Sequence, residues 1–260
     1  METGLKDKVA VVTGASSGIG AATATALGHE GARVALTYKG NPEGAEAASE
    51  RVREVGGEAL AVRLALEEPD SITAAIGEVV DRWGGIDVLV ANAVRWPQAR
   101  ADQGRAEALP LSEWQQSLRT NLEGTIATVR AVLPSMRERG WGRVVLISSS
   151  VADEGLPGPN PYGVGKSALW GLTRQLAWDA GRDGILVNVV GTGFTVTDRN
   201  LEAFGDEIRE AVASRIPSRR LSSPEEVAKL VVFLASAANG NITGEQILEG
   251  SSTGRSAHLM

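Results

Sequence analysis

The chain has 260 residues, 43% of them hydrophobic, with 31 glycines, no cysteine and a formal net charge of -6. That length suits one globular domain with a large core, and the acidic balance argues against binding nucleic acid or anionic lipid through bulk charge. Without cysteine there are no disulfides, thiolate nucleophiles or cysteine-bound zinc, and with only His29 and His258 no histidine metal site or histidine acid–base pair is expected.

The N-terminal residues show neither an apolar leader nor a small-residue cleavage site, and no apolar run reaches membrane-spanning length. A soluble cytoplasmic protein without a metal is expected.

Taken in order, short β-branched runs alternate with helical patterns. Strands are predicted at Val9–Thr13, Arg33–Thr37, Ala59–Leu64, Asp87–Ala91, Arg143–Ser148, Leu186–Val190 and Gln246–Leu248. Helices are predicted over Ala21–Glu30, Gly44–Val55, Ser71–Trp83, around Trp114–Met136, and over Tyr162–Ala180 and Pro224–Ala235. Strands that read as continuous apolar runs are covered on both faces, so the pattern predicts an α/β, doubly wound parallel sheet of Rossmann type. No linker or repeat divides residues 1–260; a dinucleotide-binding half over about 1–140 precedes a catalytic and lid half over about 141–250. Gly191–Pro217 lacks clear periodicity and is the candidate substrate lid.

The first strand runs into Thr13-Gly14-Ala15-Ser16-Ser17-Gly18-Ile19-Gly20. Glycines there let the backbone turn tightly and approach a pyrophosphate, while free N–H groups at the helix start favour the anion. The second strand ends at Thr37-Tyr38-Lys39, where a dinucleotide fold meets the adenosine ribose. A hydroxyl and an ammonium in place of a carboxylate suit a 2′-phosphate, so NADPH (NADP+) is expected as cofactor, with NADH as the alternative.

Further on, Tyr162 and Lys166 stand four residues apart on one predicted helix face. A nearby cation and the positive end of the helix both favour the phenolate, so Lys166 is expected to depress the Tyr162 pKa and ready it for proton transfer.

With these motifs in one chain, the sequence resembles the classical short-chain dehydrogenase/reductase family throughout, from Lys8-Val-Ala-Val-Val-Thr-Gly to Ile242-Thr-Gly-Glu. The resemblance includes Asn121 in Thr-Asn-Leu, Ile147-Ser-Ser-Ser150 and Val187-Asn188-Val189. It implies a catalytic set of Asn121, a serine, Tyr162 and Lys166. Tyr162 would protonate the carbonyl oxygen, Lys166 would bind the nicotinamide ribose, Asn121 would hold a relay water and the serine would hydrogen-bond the substrate. Family spacings select Ser149; the preference for a serine directly before valine would select Ser150.

The resemblance assigns cofactor contacts to Gly14, Ser16, Ser17, Gly18, Ile19 and Gly20, then to Tyr38, Lys39, Leu66, Asn92 and Ala93. Gly193, Thr195 and Thr197, with Tyr162 and Lys166, complete that set. Three departures from the family pattern stand out: Ala91-Asn92-Ala93-Val94 for Asn-Asn-Ala-Gly, Ala65-Leu66 for Asp-Val, and Thr192-Gly193 for Pro-Gly.

Six of the eleven aromatic residues are tryptophans. Trp83, Trp114 and Trp141 read as packing residues, and Trp170 and Trp178 as core or subunit interface. Trp96 follows the modified cofactor loop and is expected at the mouth of the site, either stacking on a flat substrate or covering the core as a loop tryptophan. Trp96, Ser149, Thr192 and Phe194 are the candidate substrate residues.

The combination looks most similar to ketoreductases that tailor aromatic polyketides, including the C-6 ketoreductases of angucycline antibiotic pathways. The alternative is a 3-oxoacyl carrier-protein reductase, to which Arg95, Arg100 and Arg105 would lend basic charge. A non-catalytic nucleotide sensor ranks below both. The partners implied are a small-molecule ketone and further copies of the chain, as a homotetramer or dimer.

Overall fold

The computed structural model describes residues 2–96, 104–155 and 158–250; Pro97, Arg100 and His258 lie outside the described residues. Seven strands form one sheet: β1 (Val9–Val12), β2 (Arg33–Tyr38), β3 (Glu58–Arg63), β4 (Val88–Ala91), β5 (Gly142–Ser149), β6 (Ile185–Thr192) and β7 (Gln246–Glu249). Their order is β3-β2-β1-β4-β5-β6-β7 and every pairing is parallel. This is the expected Rossmann-type doubly wound sheet, and its order reverses between β1 and β4, where such sheets open a binding crevice.

Alternation along the strands builds two separate cores. Val9, Val11, Leu89, Val144, Leu146 and Val187 face one layer, formed by α3 (Pro69–Trp83), α5 (Gly124–Arg139) and α7 (Pro161–Ala180). Ala10, Val12, Val34, Leu36, Val145 and Ile147 face the other, formed by α1 (Gly18–His29), α2 (Pro42–Glu54) and α10 (Pro224–Ala235). Successive strand residues point to opposite faces, so an uninterrupted apolar strand feeds both layers at once.

Two predicted segments differ in the structure. The helix expected around Trp114–Met136 is broken into α4 (Leu111–Leu118), a π-turn over Arg119–Glu123, and α5. The π-turn falls on Asn121, where a widened turn re-aims a side chain that regular spacing would send elsewhere. The irregular Gly191–Pro217 segment contains two short helices, α8 (Asp198–Ala203) and α9 (Asp206–Ala213), neither with a buried residue. At six and eight residues each, they are too short for a helical period to repeat more than about twice, so the sequence does not separate them from loop. A four-residue turn of helix, α6 (Val151–Glu154), follows β5. Among the described residues no helix is long and apolar enough to cross a membrane.

The strand–turn–helix after β1 is closed by contacts that exclude side chains. Gly14 has φ +64°, a left-handed conformation that favours glycine. A Cβ on Gly20 would stand 2.3 Å from the Gly14 carbonyl oxygen and 2.6 Å from the Asn92 amide nitrogen. Gly20→Ala is therefore expected to cost roughly 1–3 kcal/mol of stability, read from urea denaturation, because backbone rather than a flexible chain end must give way.

Candidate active site

The C-terminal ends of the strands open onto one cleft of about 580 Å³ that runs from the glycine turn to Tyr162. At its floor, the Thr13 hydroxyl accepts from the backbone N–H groups of Asn92 and Ala93, each at 2.9 Å. The Asn92 amide donates to the Thr13 and Gly14 carbonyls at 3.0 and 3.1 Å. The turn after β1 and the end of β4 are thus one unit. Ser17, the N-cap of α1, makes no side-chain cap bond, so the first-turn N–H groups of the helix stay open to an anion.

Ser16, Ser17, Gly18 and Ile19 line this wall, whereas Gly20 is turned inward against Gly14 and Asn92. The glycine spacing is therefore partly a packing requirement of the protein itself. Val94, expected to restrict the loop that usually carries glycine, lines the cleft without a left-handed backbone. Its substitution adds bulk and no strain.

At the far end, Tyr38, Lys39 and Leu66 line the cleft. Lys39 is not a free cation: its ammonium is paired with Glu67. Burial alone would raise the Glu67 carboxyl, but the hydrogen bond and charge of Lys39 outweigh it and hold the group below its ordinary value. Glu67 was missed in the sequence, although it directly follows Ala65-Leu66, where the family's carboxylate is lacking.

Near the other end, α7 begins at Pro161 with Asn160 as N-cap, its side chain accepting from Gly163 N at 3.0 Å. This start places Tyr162 and Lys166 inward, 6% and 4% exposed. The Lys166 ammonium donates to the Ile147 carbonyl at 2.6 Å, and the Ser148 hydroxyl donates to the Lys166 carbonyl at 2.9 Å. Helix α7 is thereby fastened to β5. Of the three consecutive serines, Ser149 is the one that lines the cleft with Tyr162, its hydroxyl acting to lower the phenol's pKa.

The electrostatics differ from expectation. Burial raises the Tyr162 phenol above its ordinary value, opposed by the Ser149 hydrogen bond and the charge of Arg199. Lys166 is not the cation that favours the phenolate here. Fully buried, it is itself pushed down to about 8. Its Nζ lies 5.8 Å from the Tyr162 ring centroid and its bond goes to Ile147.

The remaining candidates divide. Asn121 does not hold its amide open: Oδ1 accepts from Arg95 N at 2.7 Å and Nδ2 donates to Arg95 O at 2.9 Å. It pins the segment that carries Trp96. Thr192, Gly193, Thr195 and Thr197 line the cleft opposite the glycine turn, with Thr197 capping α8. Phe194, expected to meet substrate, instead packs edge-on against Phe204 at 5.3 Å between centroids. Trp96 does reach the mouth, but its ring is already in use: it stacks on Tyr162, centroids 5.2 Å apart and planes at 23°, with the Arg199 guanidinium 4.4 Å from its centroid. Arg199 was also missed, since the sequence shows it only as one of several scattered charges in the irregular Gly191–Pro217 segment.

A buried tyrosine beside a cleft with an open helix start is the equipment of an oxidoreductase acting on carbonyl or alcohol groups. The chain belongs to the classical short-chain dehydrogenase/reductase family: a family model described as enoyl-(acyl carrier protein) reductase matches residues 14–249. It is 35% identical over 240 residues to the 3-oxoacyl-(acyl-carrier-protein) reductase FabG of Staphylococcus aureus, covering 92% of this chain and 95% of that one. The FabG of Aquifex aeolicus is 36% identical over 247 residues, covering 95% and 97%. Among solved structures, a dehydrogenase/reductase from Sinorhizobium meliloti 1021 superposes with a TM-score of 0.86 at 36% identity, covering 96% of each chain.

The depressed Lys166 value makes stability depend on pH. The unfolded lysine titrates near 10.5 and the folded one near 8, so between these values the unfolded chain binds more protons and stability rises with pH. Below pH 8 both states are protonated and the full cost of the buried ammonium is present. Urea denaturation is expected to show the parent gaining stability relative to Lys166→Met between pH 8 and 10.5; a pH-independent difference would contradict this.

Proposed function

We propose that the protein reduces a ketone to a secondary alcohol with NADPH, and that the ketone belongs to a 3-oxoacyl group. The observation that carries the reading is a buried Tyr162 sharing the cleft wall with Ser149, with Lys166 one helical turn on, at one end of a cleft whose other end is an uncapped helix start. When bound, the nicotinamide supplies the hydride. The Tyr162 hydroxyl gives its proton to the carbonyl oxygen, and Ser149 donates a hydrogen bond to the same atom. Lys166 has three donors and spends one on Ile147, which leaves two for the nicotinamide ribose. Asn121 acts by holding the Arg95–Trp96 backbone, and Thr192, Gly193, Thr195 and Thr197 shape the nicotinamide side.

Two observations bear on the substrate. Relatives named as 3-oxoacyl reductases match along nearly the whole chain, which supports a 3-oxoacyl group. A flat polycyclic ketone, as in angucycline biosynthesis, is the second reading, favoured by an indole at the mouth. It requires Trp96 to give up its contact with Tyr162 or Arg199. Trp178 on α7, 86% exposed, supports self-association of the chain through that helix.

For the cofactor, Tyr38 and Lys39 support NADPH over NADH, while Glu67 competes for the same ammonium. A 2′-phosphate therefore displaces an internal carboxylate. By isothermal titration, Lys39→Ala should weaken NADPH binding, and Glu67→Gln should strengthen NADPH over NADH by roughly fivefold or more. NADPH bound equally well by all three proteins would remove the argument. Tyr162→Phe is expected to lower kcat about a hundred- to ten-thousand-fold while NADPH still binds, measured by steady-state rates and titration.

A further inference from the structure

Among the described residues three basic side chains line the cleft: Lys39, Arg95 and Arg199. Lys39 is paired with Glu67, and Arg95 donates to the Gln116 side chain at 3.0 Å. Arg199 differs. Among the described residues it makes no hydrogen bond or ion pair, and its contact is the face of Trp96. Asp198, beside it on α8, lines the same wall without pairing with it.

The position of this cation matters as much as its freedom. Trp96 stacks on Tyr162 and Arg199 lies over Trp96, so the guanidinium is one ring removed from the proton donor. It is also close enough for its charge to be felt at the phenol, and partial burial lowers its own pKa. A guanidinium presents a planar fork of donors that matches a carboxylate with two parallel bonds, and it is weakly hydrated, so little is lost when water leaves. The chain as a whole is acidic, which gives no general attraction for anions. A local receptor is what an anionic substrate would need.

We propose that Arg199 receives a substrate carboxylate, so that the cleft reduces free keto acids whose carboxylate lies a few bonds from the ketone. The phosphate of a carrier arm is too distant from the reacting carbonyl to serve. The proposal rests on the reductase reading for its chemistry and departs from it in substrate class, because a 3-oxoacyl group bound to a carrier has no free carboxylate. In the step, the carbonyl carbon takes a hydride from reduced nicotinamide and the carbonyl oxygen takes the Tyr162 proton. The C=O double bond becomes a C–H and an O–H bond, the products are a hydroxy acid and oxidised cofactor, and solvent restores the tyrosine proton.

The test compares acetoacetate and levulinate with their methyl esters, in the presence of NADPH, for the parent, Arg199→Gln and Arg199→Lys. The parent is expected to prefer the acids. In Arg199→Gln the acid-to-ester ratio of kcat/KM should fall roughly tenfold or more, through KM of the acid, and Arg199→Lys should keep most of it. A parent indifferent to the charge, or an Arg199→Gln ratio equal to the parent's, would overturn the proposal.

Isothermal titration with valerate, which has the carboxylate but no ketone, separates the two levels of the argument. Valerate binding that weakens in Arg199→Gln, in a parent that reduces none of the four ketones, would retain the anion receptor and reject the reductase reading. Valerate binding independent of Arg199, in a parent that reduces the esters, would reject the receptor and retain the reductase.

Discussion

Lys166 carries an ammonium into a place that water does not reach, and much of the site follows from how that group is held. A buried charge is tolerated only with partners, and here the partner is a backbone carbonyl at the end of β5, reached at 2.6 Å. The reciprocal bond from the Ser148 hydroxyl to the Lys166 carbonyl ties the same two elements from the other side. Helix and strand are therefore locked in register where Ser149 and Tyr162 must meet. The odd and even positions of one strand share the labour: Ser148 turns to the helix backbone and Ser149 to the phenol.

The electrostatic picture that results is less simple than a lysine activating a tyrosine. Desolvation works against both members of the pair, raising the phenol and lowering the ammonium. What favours the phenolate is a serine hydroxyl and a guanidinium from a different segment of the chain. Acidity at the Tyr162 hydroxyl is set jointly by the strand end, by α7 and by α8, so the irregular segment after β6 acts on a group buried in another part of the chain.

Most of the fold was legible because each strand is an apolar run bounded by a turn and each long helix has an apolar face. The places that escaped are those where periodicity carries little information. The π-turn at Asn121 is invisible to a pattern of fixed period, and α8 and α9 are too short to repeat one. In the site, Tyr162, Lys166 and the glycine turn were found because their spacing is local. Glu67 and Arg199 were not, since each acquires meaning only from a partner distant in the chain, Lys39 in one case and Trp96 in the other. Asn121 was assigned from resemblance, and its bonds to the Arg95 backbone could not be read from residue type.

Those bonds give the mouth of the cleft an unusual construction. One side-chain amide pairs with both polar groups of a single backbone residue, as a neighbouring strand would, and Thr13 anchors the start of the same segment through two N–H groups. The segment is moored at both ends by side chains that belong to other elements. A short stretch of chain is thereby held as firmly as a strand without joining the sheet, so the indole at its end is presented to Tyr162 from a fixed base.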